Sequence, residues 1–234
     1  MKIIVDLFNQ HSSDLTELKR LALNAYSAGA DAVKIQVFKS EVVWGDDSRR
    51  YLEMSKDDVA RFYEYCDKMG IEAFATPFDE ERFEWLKSLG ASCYKVASYT
   101  SKNDPELVKK MIATGKETII STGLYSTNDF PFGMHENVKY LFCIPKYPTM
   151  VDDPKIKEMP DDFKSSRYDG YSDHVLGIAA ALQSYLNGAE ILEKHFTSDP
   201  NLQKNCELAH LCSFTPESLR QFKSLIRQFK IMRS

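Results

Sequence analysis

No stretch of this sequence stays apolar for the roughly 20 residues that a bilayer-spanning helix requires. The N-terminus has no charged segment leading into an apolar one, so no signal peptide is predicted either. The expectation is a cytoplasmic protein with no membrane partner. A long basic run is also missing, and 30 Lys and Arg against 34 Asp and Glu leave a formal net charge of -4. That balance argues against nucleic acid and for a small-molecule ligand. The cysteines are few: Cys66, Cys93, Cys143, Cys206 and Cys212 are odd in number, scattered, and without the close pairing of a zinc site. They are expected to be reduced thiols. The first apolar run is not followed by a Gly-rich phosphate loop, which weakens an open dinucleotide-binding sheet.

What is present is an alternation. The 234 residues, 43% hydrophobic and 27% charged, suffice for a substantial core. Short apolar runs predict strands at Lys2–Phe8, Ala32–Phe38, Ile71–Phe78, Cys93–Ser98, Glu117–Thr122, Asn137–Ile144, Tyr168–His174 and Glu190–Thr197. Helical spacing fills most gaps: Leu15 to Gly29 capped by Ser13 or Asp14, a helix capped near Ser55, then Asp79–Leu89, Pro105–Ala113, Ile178–Leu186 and Pro216–Met232. A short helix is expected over Pro154–Met159, and a long loop over Glu41–Lys56. Tyr125–Asn137, rich in Ser, Asn, Asp, Pro and Gly, has no helical period. Eight strands alternating with helices match a single (β/α)8 TIM barrel over residues 1–234, with the fifth helix shortened or missing.

Chemistry in such barrels sits at the C-terminal ends of the strands. In chain order those ends offer Asp6 with Gln10 and His11, Lys34 and Gln36, Thr76, Lys95 with Ser98, Ser121, Tyr147, Ser172 with Asp173 and His174, and His195. A lysine among small apolar residues, as in ASCYKVAS, needs an anion or a carbonyl partner, because an unpaired ammonium is costly to desolvate. Lys34 and Gln36, two apart, share a face opposite Val33, Ile35 and Val37. The alternative is a pair of surface charges on edge strands. The same pattern after two Gly-ended helices, AGADAVK and LGASCYK, favours one shared site. Two ammonium groups with the hydroxyls of Thr76, Ser98, Ser121 and Ser172 suit a phosphate or carboxylate. His174 and His195 either share a divalent metal or are ordinary core residues.

VKIQVF, TPFD, YKVAS, STGLYS, KYPT, GYSDHVLG and ILEKHFT, in this order, resemble the sialic acid synthase (N-acetylneuraminate synthase) family and its relatives that make legionaminic and pseudaminic acids. The resemblance runs from the first strand to about Phe222, and GYSDH with EKHFT is its most specific part. It implies a barrel enzyme, a C–C bond-forming transferase that condenses phosphoenolpyruvate with a sugar aldehyde to a 2-keto-3-deoxy sugar acid and releases phosphate. By the same resemblance, Lys34, Thr76, Lys95, Ser98, Ser121 and Ser172 match phosphoenolpyruvate-binding positions, with Gln36 beside them. Lys34 and Lys95 are taken as catalytic. His174 and His195 match ligands of a divalent metal, Mn²⁺ or Mg²⁺, and Tyr147 an acceptor-side tyrosine. Asp6 stands where the family has a strand-one glutamate and is the expected acid or base. Its alternative is a structural carboxylate holding His11 or a lysine.

Several positions depart from the family pattern. The signature Glu-x-Gly-x-Asn-His reads Asp6-Leu7-Phe8-Asn9-Gln10-His11 here, the strand-four glutamate falls at Thr100, the strand-six asparagine at Pro145, and a late aspartate near Ala209. Most of these lie on the acceptor side, so an acceptor other than N-acetylmannosamine is expected. Family members usually carry a C-terminal antifreeze-like domain that gives an arginine to the partner subunit's site. This sequence stops at Ser234, which leaves a homodimer without that exchange or a separate protein supplying it. Two other functions compete: a barrel without catalysis acting as a partner in glycan synthesis, and a Schiff-base aldolase using Lys95.

Overall fold

The structure, a computed structural model, describes residues 1–8, 10–200 and 208–233. Its strands are β1 (Lys2–Asp6), β2 (Ala32–Val37), β3 (Glu72–Pro77), β4 (Cys93–Val96), β5 (Glu117–Ser121), β6 (Val138–Cys143), β7 (Gly170–Asp173) and β8 (Ile191–His195). They pair in parallel in chain order and close between β8 and β1. The helices are α1 (Leu15–Ala28), α2 (Ser40–Trp44), α3 (Lys56–Met69), α4 (Glu80–Ser88), α5 (Ser98–Asn103), α6 (Pro105–Ala113), α7 (Ala179–Leu186) and α8 (Pro216–Arg233). This is a (β/α)8 barrel, and none of its described helices is long and apolar enough to cross a membrane.

Strand alternation explains how so apolar a chain builds a polar site. Outward residues such as Ile3, Val5, Val33, Ile35, Tyr94 and Leu192 join the helix faces in the main core, where α1 contributes Leu18, Leu21 and Ala25. Inward residues at the N-terminal end, Ile4, Ala32, Phe74, Cys93, Ile119, Leu141 and Ile191, form a separate buried cluster that floors the barrel. Two residues further along each of those strands the inward position becomes Asp6, Lys34, Thr76, Lys95, Ser121, Cys143 and Glu193. The floor excludes water from below, so whatever binds above it meets these groups in a medium of low dielectric.

Local signals set the boundaries. Asp14 caps α1 by accepting from the backbone N–H groups of Thr16 and Glu17 at 2.8 and 3.2 Å. Gly29 ends it at φ +98°, a conformation disfavoured for a side chain, and turns the chain into β2. The expected gap is real: residues 122–137 form no helix. Aromatic packing covers the barrel there instead, with the Phe130 ring 4.9 Å from Tyr140 and 5.0 Å from Tyr168. The Tyr140 hydroxyl donates to the Gly133 carbonyl and accepts from Phe132 N.

Three expectations are corrected. The loop expected over Glu41–Lys56 contains α2 and a 3-10 turn, Arg50–Leu52. Ser98 opens α5 rather than closing β4, and Pro154–Glu158 is a 3-10 turn. The five-residue α2 is too short to show a period, and tertiary contacts hold it: Tyr99 Oη donates to the Val43 carbonyl at 3.1 Å, and Arg49 stacks on Trp44 at 4.3 Å.

Gly170 allows β7 to approach β8 closely, since a Cβ there would sit 2.0 Å from the Ile191 carbonyl oxygen. Gly170→Ala is therefore expected to force β7 from β8 and cost about 3 kcal/mol or more by urea unfolding. A loss below about 0.5 kcal/mol contradicts this packing.

Candidate active site

The C-terminal mouth opens on a cavity of about 550 Å³. At its base four buried charges form a closed set. Lys34 Nζ lies 2.7 Å from Asp6 Oδ2 and 2.9 Å from Glu193 Oε1. Lys95 Nζ lies 3.2 Å from Glu193 Oε2 and donates to Ser121 Oγ at 2.8 Å and the Val96 carbonyl at 2.9 Å. Ser172 Oγ donates to Glu193 Oε2 at 2.7 Å. Asp6 also accepts from Gln36 Nε2 at 2.8 Å and Phe8 N at 3.1 Å. The structural alternative for Asp6 is thus partly met: it holds a lysine, Lys34, whereas His11 accepts from Ser13 N.

Burial works against every charge here, and the partners decide the outcome. For Glu193, desolvation raises the carboxyl's pKa, but Lys34 and Lys95 outweigh it and hold the group well below the usual carboxylate range. Asp6 is held down in the same way, against burial, by Lys34. Lys34, between two carboxylates, ends above its ordinary value despite desolvation. Lys95 goes the other way: burial lowers it, Lys34 adds repulsion, and Glu193 only partly compensates.

Above this layer the rings of His174 and His195 lie 5.7 Å apart, with Tyr147 4.1 Å from His174 and 5.8 Å from His195. His174 Nδ1 is 2.8 Å from the Ile144 carbonyl, which fixes the proton on Nδ1 and leaves Nε2 with its lone pair. Burial and the neighbouring His195 push His174 down to about 3. His195 is lowered too, by burial, although Asp6 lies 3.6 Å from its Nδ1. Neutral imidazoles suit a divalent metal, and His174 has the oriented Nδ1 such ligands use, whereas His195 Nδ1 is buried without a hydrogen-bond partner. Among the described residues no group of three or more His, Cys, Asp or Glu suited to a metal is found, which leaves these two histidines as the candidate ligands.

Asp6, Lys34, Gln36, Lys95, Ser98, Ser121, Tyr147, Ser172, His174 and His195 all line the one cavity. Thr76 does not: it is fully buried and its hydroxyl has no partner. Of the positions where the family pattern breaks, Pro145 and Ala209 line the cavity, while Thr100 is buried away from it. Asn9 and Cys206 lie outside the described residues, as does most of the segment before Ala209.

Sequence reasoning missed Glu193, which binds both lysines. The period of two that united Lys34 with Gln36 also puts Glu193 on the face of His195, so the signal was available. It missed the aromatic wall as well, where Phe38 packs against Phe8, Trp44 and Phe78. No periodicity marks those residues as neighbours.

Residues 21–234 match the NeuB family. The chain belongs to this family. It is 33% identical over 232 residues to an uncharacterised protein of Methanocaldococcus jannaschii, covering 93% of this chain and 67% of that one. To the N,N'-diacetyllegionaminic acid synthase of Legionella pneumophila it is 31% identical, covering 96% and 71%. Among solved structures, the N-acetylneuraminic acid synthetase of Leptospira borgpetersenii superposes with a TM-score of 0.87 at 27% identity, covering 99% of this chain and 84% of that one. The NeuB relatives named here by activity are sialic acid or legionaminic acid synthases.

Burial also pushes His11 down to about 4. The unfolded chain takes up this proton near pH 6.5 while the folded one does not, so stability falls as pH drops from about 6.5 to 4. Between pH 7.5 and 5 this amounts to about 2 kcal/mol. Urea unfolding of His11→Gln against the parent should show their difference shifting by that amount in favour of the variant; a constant difference refutes it.

Proposed function

We propose that this protein condenses phosphoenolpyruvate with a sugar aldehyde, giving a 2-keto-3-deoxy sugar acid and phosphate. The observation that carries the reading is the meeting of Lys34 and Lys95 with the Ser98, Ser121 and Ser172 hydroxyls in the same cavity as the His174 and His195 pair. NeuB membership supports the reaction class. The ammonium groups and hydroxyls offer neutralisation and fixed donors to an anionic enol ester.

In the reaction, C3 of phosphoenolpyruvate bonds to the aldehyde carbon, whose oxygen gains a proton and becomes a hydroxyl. Water adds at C2 and gives up one proton, which balances the one gained by the aldehyde oxygen; the bond between C2 and the bridging phosphate oxygen then breaks, phosphate leaves with the electron pair, and the C2 hydroxyl passes its proton to phosphate as the ketone forms. The chain's part is to bind and orient. Lys34 and Lys95 hold the anion, and Gln36 and Lys34 keep Asp6 fixed and ionised. Asp6 is then a base for the attacking water. Tyr147 and the aromatic wall face the acceptor. His174 and His195 would hold Mn²⁺ or Mg²⁺, which supplies Lewis-acid polarisation of the aldehyde when bound.

Phosphate release from phosphoenolpyruvate with a panel of aldoses and Mn²⁺ tests the reading. Turnover with at least one acceptor is expected, with kcat/KM for phosphoenolpyruvate about a hundredfold lower in Lys95→Met, on the order of one lost charge-assisted contact. Tight binding of phosphoenolpyruvate without turnover on any acceptor counts against it. The lowered Lys95 ammonium favours one second reading, a Schiff-base aldolase. Borohydride trapping of substrate on Lys95 would select it, because the synthase route forms no imine.

A further inference from the structure

Asp173 does not line the cavity, and Lys194, which borders it, pairs its ammonium with Asp173 instead; both are bracketed by cavity residues, Ser172 and His174 on one strand, Glu193 and His195 on the next. Their side chains meet at 2.7 Å and are both completely buried. Asp173 and Lys194 are also the last pair in the β7–β8 register. Beyond it no ladder ties His174 to β8, while His195 is paired with Asp6 on β1.

Lys194 supplies the missing tie. Its Nζ binds Asp173 Oδ2 and also donates to the Val175 carbonyl at 2.7 Å, so it grips the chain on both sides of His174. Asp173 Oδ1 accepts from Val175 N at 2.8 Å, closing the turn. The Phe214 ring lies 5.5 Å from the ammonium, and Phe214 N donates to the His195 carbonyl at 2.7 Å, fixing the other histidine from the same side. A buried ion pair is a poor source of stability, since apolar residues of similar volume often serve as well. What it does provide is direction: two strands are held at one register by a buried pair whose remaining bonds go to Val175 on the same turn.

We propose that Lys194 and Asp173 are a positioning pair, which sets the separation of His174 and His195 by tying the end of β7 to β8 and thereby the affinity of the two imidazoles for a divalent cation. The inference rests on the metal-binding reading of that histidine pair. Neither residue is asked to touch the metal or the substrate.

The test is Mn²⁺ titration by calorimetry on the chelator-stripped full chain, with Co²⁺ absorption as a report on ligand geometry. The parent protein is expected to bind Mn²⁺. The double variant Asp173→Leu with Lys194→Met, which replaces the ion pair with apolar side chains and leaves no buried charge unpaired, is expected to bind 10- to 100-fold more weakly, in the range found for residues that orient metal ligands. Its Co²⁺ spectrum should also shift. Lys194→Gln, the milder change, keeps a donor and should lose less. Parent-like Mn²⁺ affinity and Co²⁺ spectrum in either folded variant overturn the positioning role while leaving the synthase reading intact. Absence of Mn²⁺ binding by the parent overturns both the histidine-pair reading and this inference.

Discussion

Two carboxylates and two ammonium groups, buried together above an apolar floor, constrain everything around them. Asp6, Lys34, Lys95 and Glu193 are each at most about 5% exposed, so none is stable as a charge without the others. Desolvation of one such ion costs several kcal/mol. Removing a partner leaves the remaining charge uncompensated, so the four are retained or lost together. Their geometry also requires strands from opposite parts of the ring, β1, β2, β4 and β8, to converge, and a closed barrel achieves this.

The same arrangement links stability to function. The lysines are held by the carboxylates, Lys95 also by Ser121, and Ser172 in turn holds Glu193. An incoming anion therefore meets donors already oriented, and little side-chain entropy remains to be lost. The cage does not prepare both lysines alike: Lys34, between Asp6 and Glu193, is secured as a cation, while Lys95 has one carboxylate and a nearby like charge. In the synthase reading Lys34 is the permanent charge of the site and Lys95 the more responsive one.

Much of the site was legible because a barrel turns chain position into spatial position. Once eight strands are recognised, every strand end points to one mouth, and Lys34, Lys95, Ser121, Ser172, His174 and His195 follow without any coordinates. Glu193 was equally readable by period, two residues before His195 on the same face of β8. Thr76 has the same period but lies outside the cavity lining. Helix α2 and the wall of Phe8, Phe38, Trp44 and Phe78 left no trace in the sequence, because contacts between separate loops carry no periodicity.

By itself, then, the sequence determined the barrel, the missing fifth helix and the set of polar strand ends, since these depend on local period and on turn residues within a few positions. Only the tertiary structure decided which charges neutralise which, that Asp6 clasps Lys34, and that Lys194 reaches across to the chain around His174. The reason is distance: an ion pair is fixed by a separation of about 3 Å between groups more than twenty residues apart in the chain, and that separation exists only after the ring has closed.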